Sequence, residues 1–95
     1  MKVKNLNGAG NNQCHCASWF DHWKKFSGQI PCYCSEANCF FLADVGTHVQ
    51  KDVPNDPNWY IVPLFGFHNQ SKATTLQIRP LLNLVSANIN ETCGR

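Results

Sequence analysis

Two cysteines spaced Cys34-x4-Cys39, with His68 further along the chain, form the arrangement most able to do chemistry. Thiolate sulfur and imidazole nitrogen are natural zinc ligands, and four of them in a tetrahedron make a closed structural site. A short knuckle brings two thiolates together at little entropic cost. The distant His68 would then tie a later segment to it. The fourth ligand is open between Cys32, His48, a cysteine from elsewhere, and water. Cys32 and Cys34 are so close that joint ligation needs an unusual local path. The alternative for these cysteines is that they are simply buried or disulfide-bonded. A second set is Cys14-x-Cys16 with Cys93, one part near each end of the chain, and His22 between them. In a reducing compartment this set reads as a second zinc site. In an oxidising one, Cys93 would bond Cys14 or Cys16 and stabilise the chain by about 2–4 kcal/mol. Free thiols are the remaining option. Zinc is the expected cofactor.

The elements that must position these groups are short. Ser18 is a fitting N-cap, Asp21 follows it at capping-box spacing, and Gly28 sits where a helix would stop. The helix therefore spans about residues 19–27. Trp19, Trp23 and Phe26 fall on one stripe, read as core packing. His22 lies off that stripe, free to meet a ligand or solvent. Residues 2–6 alternate weakly and suggest an edge strand. Residues 29–38 read as a turn-rich knuckle. Residues 40–50 resemble a strand, with Gly46 as a bulge or close-approach point. Residues 51–58 form a polar, Pro-rich loop. Residues 59–64 carry the strongest strand signal, with Pro63 favouring a strand end or edge. TLQI at 75–78 is another short strand, and 81–89 a last one that closes the domain.

Several pieces together resemble a known pattern. A set of small proteins related to the treble-clef zinc domains of HNH endonucleases runs CxCxSW, a Cys knuckle, GAHVQK, WYIxPLCxxHN and SANxxETC. The matching pieces here are 14–19, 34–39, 46–51, 59–69 and 86–93, which together span most of the chain. The resemblance implies a zinc-stapled treble clef. It also marks a departure, because Phe65 stands where the pattern has a cysteine, and a phenyl ring cannot ligate zinc. Cys32 would then substitute, or water would complete the site, or this copy has lost its metal. The HNH likeness further implies a nuclease in which His48 activates water and Asn69 helps hold a divalent cation. Tyr60 falls where the motif's middle Asn belongs, and no acidic residue flanks His48, so that catalytic set is incomplete.

The whole chain bounds the rest. Its 95 residues suffice for one domain, 1–95, with a small core that benefits from a staple. Hydrophobic content of 43% and charged content of 15% argue against disorder. A formal charge of +2 gives no basic stripe for nucleic acid. No apolar run is long enough to span a bilayer. The N-terminal residues lack an apolar signal-peptide core, which favours an intracellular, reducing compartment over secretion. No glycine loop for phosphate, no carboxylate pair and no Ser–His–Asp set is readable.

The expected fold is α+β: a small, metal-stapled, treble-clef-like domain with a β-hairpin and one or two short helices, the second near His68. The expected function is a non-catalytic zinc module that contacts a protein partner, including assembly into a larger particle. The alternative is an HNH-like nuclease or a degenerate DNA-binding descendant. The aromatic residues Trp19, Trp23, Trp59, Tyr60, Phe65 and Phe67 exceed what so small a core easily hides, and exposed ones would favour protein contact.

Overall fold

The computed structural model describes residues 2–6, 18–30, 33–37, 39–66, 75–79 and 82–88. Its elements, in chain order, are β1 (Lys2–Asn5), α1 (Trp19–Ser27), β2 (Val45–Lys51), β3 (Trp59–Leu64), β4 (Thr75–Gln77) and β5 (Val85–Ser86). The strands make one antiparallel sheet of order β4-β1-β2-β3-β5. This is an α+β architecture with one helix and a five-stranded sheet.

The helix forms where its local chemistry places it. Ser18 is extended, and its hydroxyl oxygen accepts from the Asp21 N–H at 3.1 Å, satisfying one orphan donor of the first turn. Gly28 ends the helix in the left-handed region, at φ 69°, where a side chain would be strained. The buried face is His22, Trp23 and Ser27, rotated from the expected aromatic stripe, and Phe26 turns outward. Polar handles explain the rotation. Trp23 Nε1 donates to the Asn83 carbonyl at 2.8 Å, and His22 Nε2 lies 3.0 Å from the Ser86 carbonyl oxygen. His22 is therefore fully buried, not free to meet solvent.

The central hairpin joins β2 to β3, with His48 opposite Ile61 and Gly46 opposite Pro63. Its first strand begins at Val45, later than expected, and residues 40–44 precede it outside any strand. The 52–58 loop is held by Asp56. One carboxylate oxygen accepts from the Asn58 N–H at 3.1 Å, and the other accepts from the Tyr60 hydroxyl at 2.7 Å. That Tyr60 hydroxyl, first among several donors, holds the Asp56 carboxyl below its usual range.

Two expectations about strands are corrected by long-range pairing. β1 is not an edge: it lies between β4 and β2. Its alternation buries Val3 and Asn5 and exposes Lys2 and Lys4. The 81–89 run contributes only the two-residue β5 among its described positions.

The sheet has two covered faces. Strand alternation puts His48, Ile61 and Val85 on one face, where α1 packs and Trp23, Ile61 and Val85 form a small core. It puts Val3, Val49, Val62, Leu64 and Leu76 on the other, where Cys34, Cys39 and Ile78 complete a larger core. Gly46 permits the helix to approach, because a methyl group there would overlap the backbone of Trp19 and Phe20. Pro63 fits inside β3 because its backbone faces away from β2. Its carbonyl accepts from the Ser35 N–H at 2.9 Å and the Ser35 hydroxyl at 2.5 Å.

Candidate functional site

The knuckle at residues 33–42 is built by backbone bonds, not by regular structure. The Cys34 N–H donates to the Phe41 carbonyl at 2.8 Å, and Tyr33 bridges Leu42. The Cys39 N–H closes the turn onto the Glu36 carbonyl at 3.1 Å. The far side is fastened to the end of β4. Glu36 bridges Ile78, and the Ala37 N–H donates to the Gln77 carbonyl at 2.8 Å.

Arg79 locks this arrangement. Its Nε donates to the Cys34 carbonyl at 2.9 Å and its Nη2 to the Cys39 carbonyl. The guanidinium also stacks over Phe40 at 5.4 Å and Tyr33 at 5.9 Å. A guanidinium fork is suited to two fixed acceptors at once. The sequence reading missed Arg79. The signal was present, a single cation inside the apolar stretch TLQIRPLL, where a charge needs a buried partner.

Cys34 and Cys39 are brought together as the spacing implies. Both are free thiols, 0% and 6% exposed, and both belong to the larger core. Burial pushes the Cys34 thiol up. Backbone N–H groups of Phe65 and Glu36 aimed at its sulfur pull the other way, while Cys39 adds to the rise. Backbone donors directed at a sulfur are a feature that stabilises a thiolate ligand. Phe65 does not leave a gap, because its ring stacks on Phe41 at 4.8 Å and packs against the core.

Of the expected ligands, this pair, His22 and His48 can be placed. Cys32, His68, Cys14, Cys16 and Cys93 lie outside the described residues, as do Asn69, Phe67 and the expected second helix near His68. Among the described residues, no group of three His, Cys, Asp or Glu side chains is placed to hold a metal ion. His48 as the fourth ligand of the knuckle is corrected by register. It points to the helix face, whereas Cys34 and Cys39 lie in the core of the opposite face.

His48 instead sits under α1. It is 4% exposed, edge-on to Trp19 at 4.6 Å and to Trp59 at 6.1 Å. His22 meets the same indole at 4.8 Å. Desolvation, helped by His22, pushes the His48 imidazole down from 6.5 to about 4, so it is neutral at neutral pH.

Two surface features complete the inventory. Tyr33, Phe40, Phe41 and Leu42 are all exposed, with Phe40 at 73%. Of the aromatics that exceed the expected core, Trp23 is buried, Trp19, Tyr60 and Phe65 are half-buried, and Trp59 is exposed. A cavity of about 380 Å³ beside the 52–58 loop includes Lys4, Lys51, Asp52 and Asp56 in its wall. Its lysines are already paired, Lys4 with Asp52 at 3.7 Å and Lys51 with Asp56 at 3.5 Å. Among the described residues, no helix is long and apolar enough to cross a membrane. The chain matches no family model, and no curated protein and no solved structure matches it.

Proposed function

We propose that this chain is a non-catalytic, zinc-stapled module of treble-clef type that contacts a protein partner through its knuckle. The observation that carries the reading is the Cys34 sulfur, paired with Cys39 and faced by the backbone N–H groups of Phe65 and Glu36. That donor chemistry suits a soft divalent ion such as zinc. Cys34 and Cys39 supply two ligands, and Cys32 and His68 are the proposed remainder. Bound zinc supplies cross-linking in such a site, and no reaction is assigned to it. The order of knuckle and then hairpin supports the treble-clef reading.

The partner surface is supported by Tyr33, Phe40, Phe41 and Leu42, large apolar groups left in solvent beside the two cysteines. An HNH-like nuclease is the less favoured reading, because His48 is buried beneath α1 and faces an indole.

Elemental analysis of protein purified without chelator tests the metal. The expected result is about one zinc per chain, lost in Cys34→Ser and Cys39→Ser variants and retained in His48→Gln. Wild-type protein that is folded and carries no metal would overturn it.

A further inference from the structure

We propose that Cys34 and Cys39 form a reversible dithiol–disulfide couple, which makes the knuckle a modification site for low-molecular-weight disulfides. The inference concerns the same two sulfurs as the zinc reading but does not require the metal. The two side chains lie together in one core beneath the knuckle, and both are free thiols. The turn between them is closed by the bond from the Cys39 N–H to the Glu36 carbonyl. Forming a disulfide therefore adds little loop-closure cost, since the fold already holds the ends together. Arg79 grips the carbonyls of both cysteines, so the two backbones stay together whichever bond their sulfurs make.

The two thiols take different parts. Cys39 is the one with solvent contact, and Cys34 has none. Solvent contact makes Cys39 the thiol that a dissolved disulfide meets first. The Cys39 thiolate attacks one sulfur of a disulfide such as oxidised glutathione. The glutathione S–S bond breaks, and the first glutathione leaves and takes up the proton Cys39 lost. Cys34 then loses its proton and attacks the Cys39 sulfur of the mixed disulfide. The second glutathione leaves with that proton. Both cysteines are oxidised, and one oxidised glutathione becomes two reduced ones. Excess reduced glutathione runs the sequence backwards.

The test uses the full-length chain, reduced and metal-free, incubated with excess oxidised glutathione. After an acid quench and denaturing alkylation, it is cut with a protease that cleaves after Glu36. Cys34 and Cys39 are expected to lose alkylation together, and the peptides on either side of Glu36 should stay joined until reduced. The same join is expected in Cys32→Ser. The proposal is overturned if Cys34 and Cys39 stay alkylatable at ratios that oxidise the other cysteines. It is equally overturned if the join disappears in Cys32→Ser, because Cys32 is then the true partner. A second arm adds zinc before the oxidant. Slowing by about tenfold or more supports the zinc reading. An unchanged rate counts against zinc while leaving the disulfide standing.

Discussion

The two faces of the sheet are covered in opposite ways. On one face a capped helix lies on Gly46, Ile61 and Val85, and its buried His22 and Trp23 are tied by hydrogen bonds to the carbonyls of Ser86 and Asn83. On the other, an irregular knuckle covers the larger core, with one arginine, one serine and several main-chain bonds holding it. The helix carries its own hydrogen-bonding and needs only a smooth seat. The knuckle has only a short bridge and a turn of its own, so several of its polar groups depend on partners distant in sequence. A seat fails by steric overlap, whereas a network of this kind fails by leaving buried groups without partners.

The largest expected effect is on the seat. Gly46→Val pushes a side chain into the main chain of Trp19 and Phe20, which cannot rotate away. A loss of about 4 kcal/mol or more, enough to unfold a chain this small, is expected in urea titration. A fully folded variant would mean the helix is not seated on β2 as described.

Arg79→Ala should break the other face by about 2–3 kcal/mol, because the carbonyls of Cys34 and Cys39 lose their donor. The sharper reading is selective. Alkylation of Cys34 and Cys39 under native conditions should rise while helical circular dichroism persists. Equal loss of both signals would show that the faces fold as one unit.

Acid should act on the helix face. His48 in the folded chain resists protonation until about 4, whereas the unfolded chain takes up a proton near 6.5. The unfolded state therefore binds more protons between these values, and stability falls as pH drops through that window. A loss of about 3 kcal/mol is expected between neutral pH and pH 4, measured by thermal melting across pH. His48→Gln should flatten the profile in that range. The smallest effect belongs to Ser18→Ala, about 1 kcal/mol, from the cap bond to the Asp21 N–H. Its loss should fray the helix and leave cysteine reactivity unchanged.

What was legible in the sequence follows the same division. The helix at 19–27 was readable because Ser18, Asp21 and Gly28 act within a few residues of themselves. The hairpin was readable from the β-branched and aromatic run at 59–64 and the Pro-rich loop before it. The meeting of Cys34 and Cys39 was readable because their short separation does not depend on the rest of the fold. The place of β1 was not, since whether Val3 sits at an edge or inside depends on Leu76 and Lys51 far along the chain. The burial of His22 was hidden for a similar reason. Three aromatic residues at helical spacing suggested one inward stripe, but carbonyls of Asn83 and Ser86 turn the helix toward His22 and Trp23. His48 stood open as one option for the fourth ligand, and strand alternation sends it to the helix face instead.

Pro63 and Ser35 have a consequence for how molecules of this chain meet one another. Along the outward side of β3, the Trp59 carbonyl takes the Ala87 N–H and Ile61 faces Val85. Next comes Pro63, which has no N–H to offer, and its carbonyl already accepts from Ser35 twice. A strand from another molecule that tried to extend the ladder past β5 would find neither donor nor open acceptor at that point. Edge-to-edge aggregation through β3 is thereby blocked, by one residue that lacks a donor and another that occupies the acceptor.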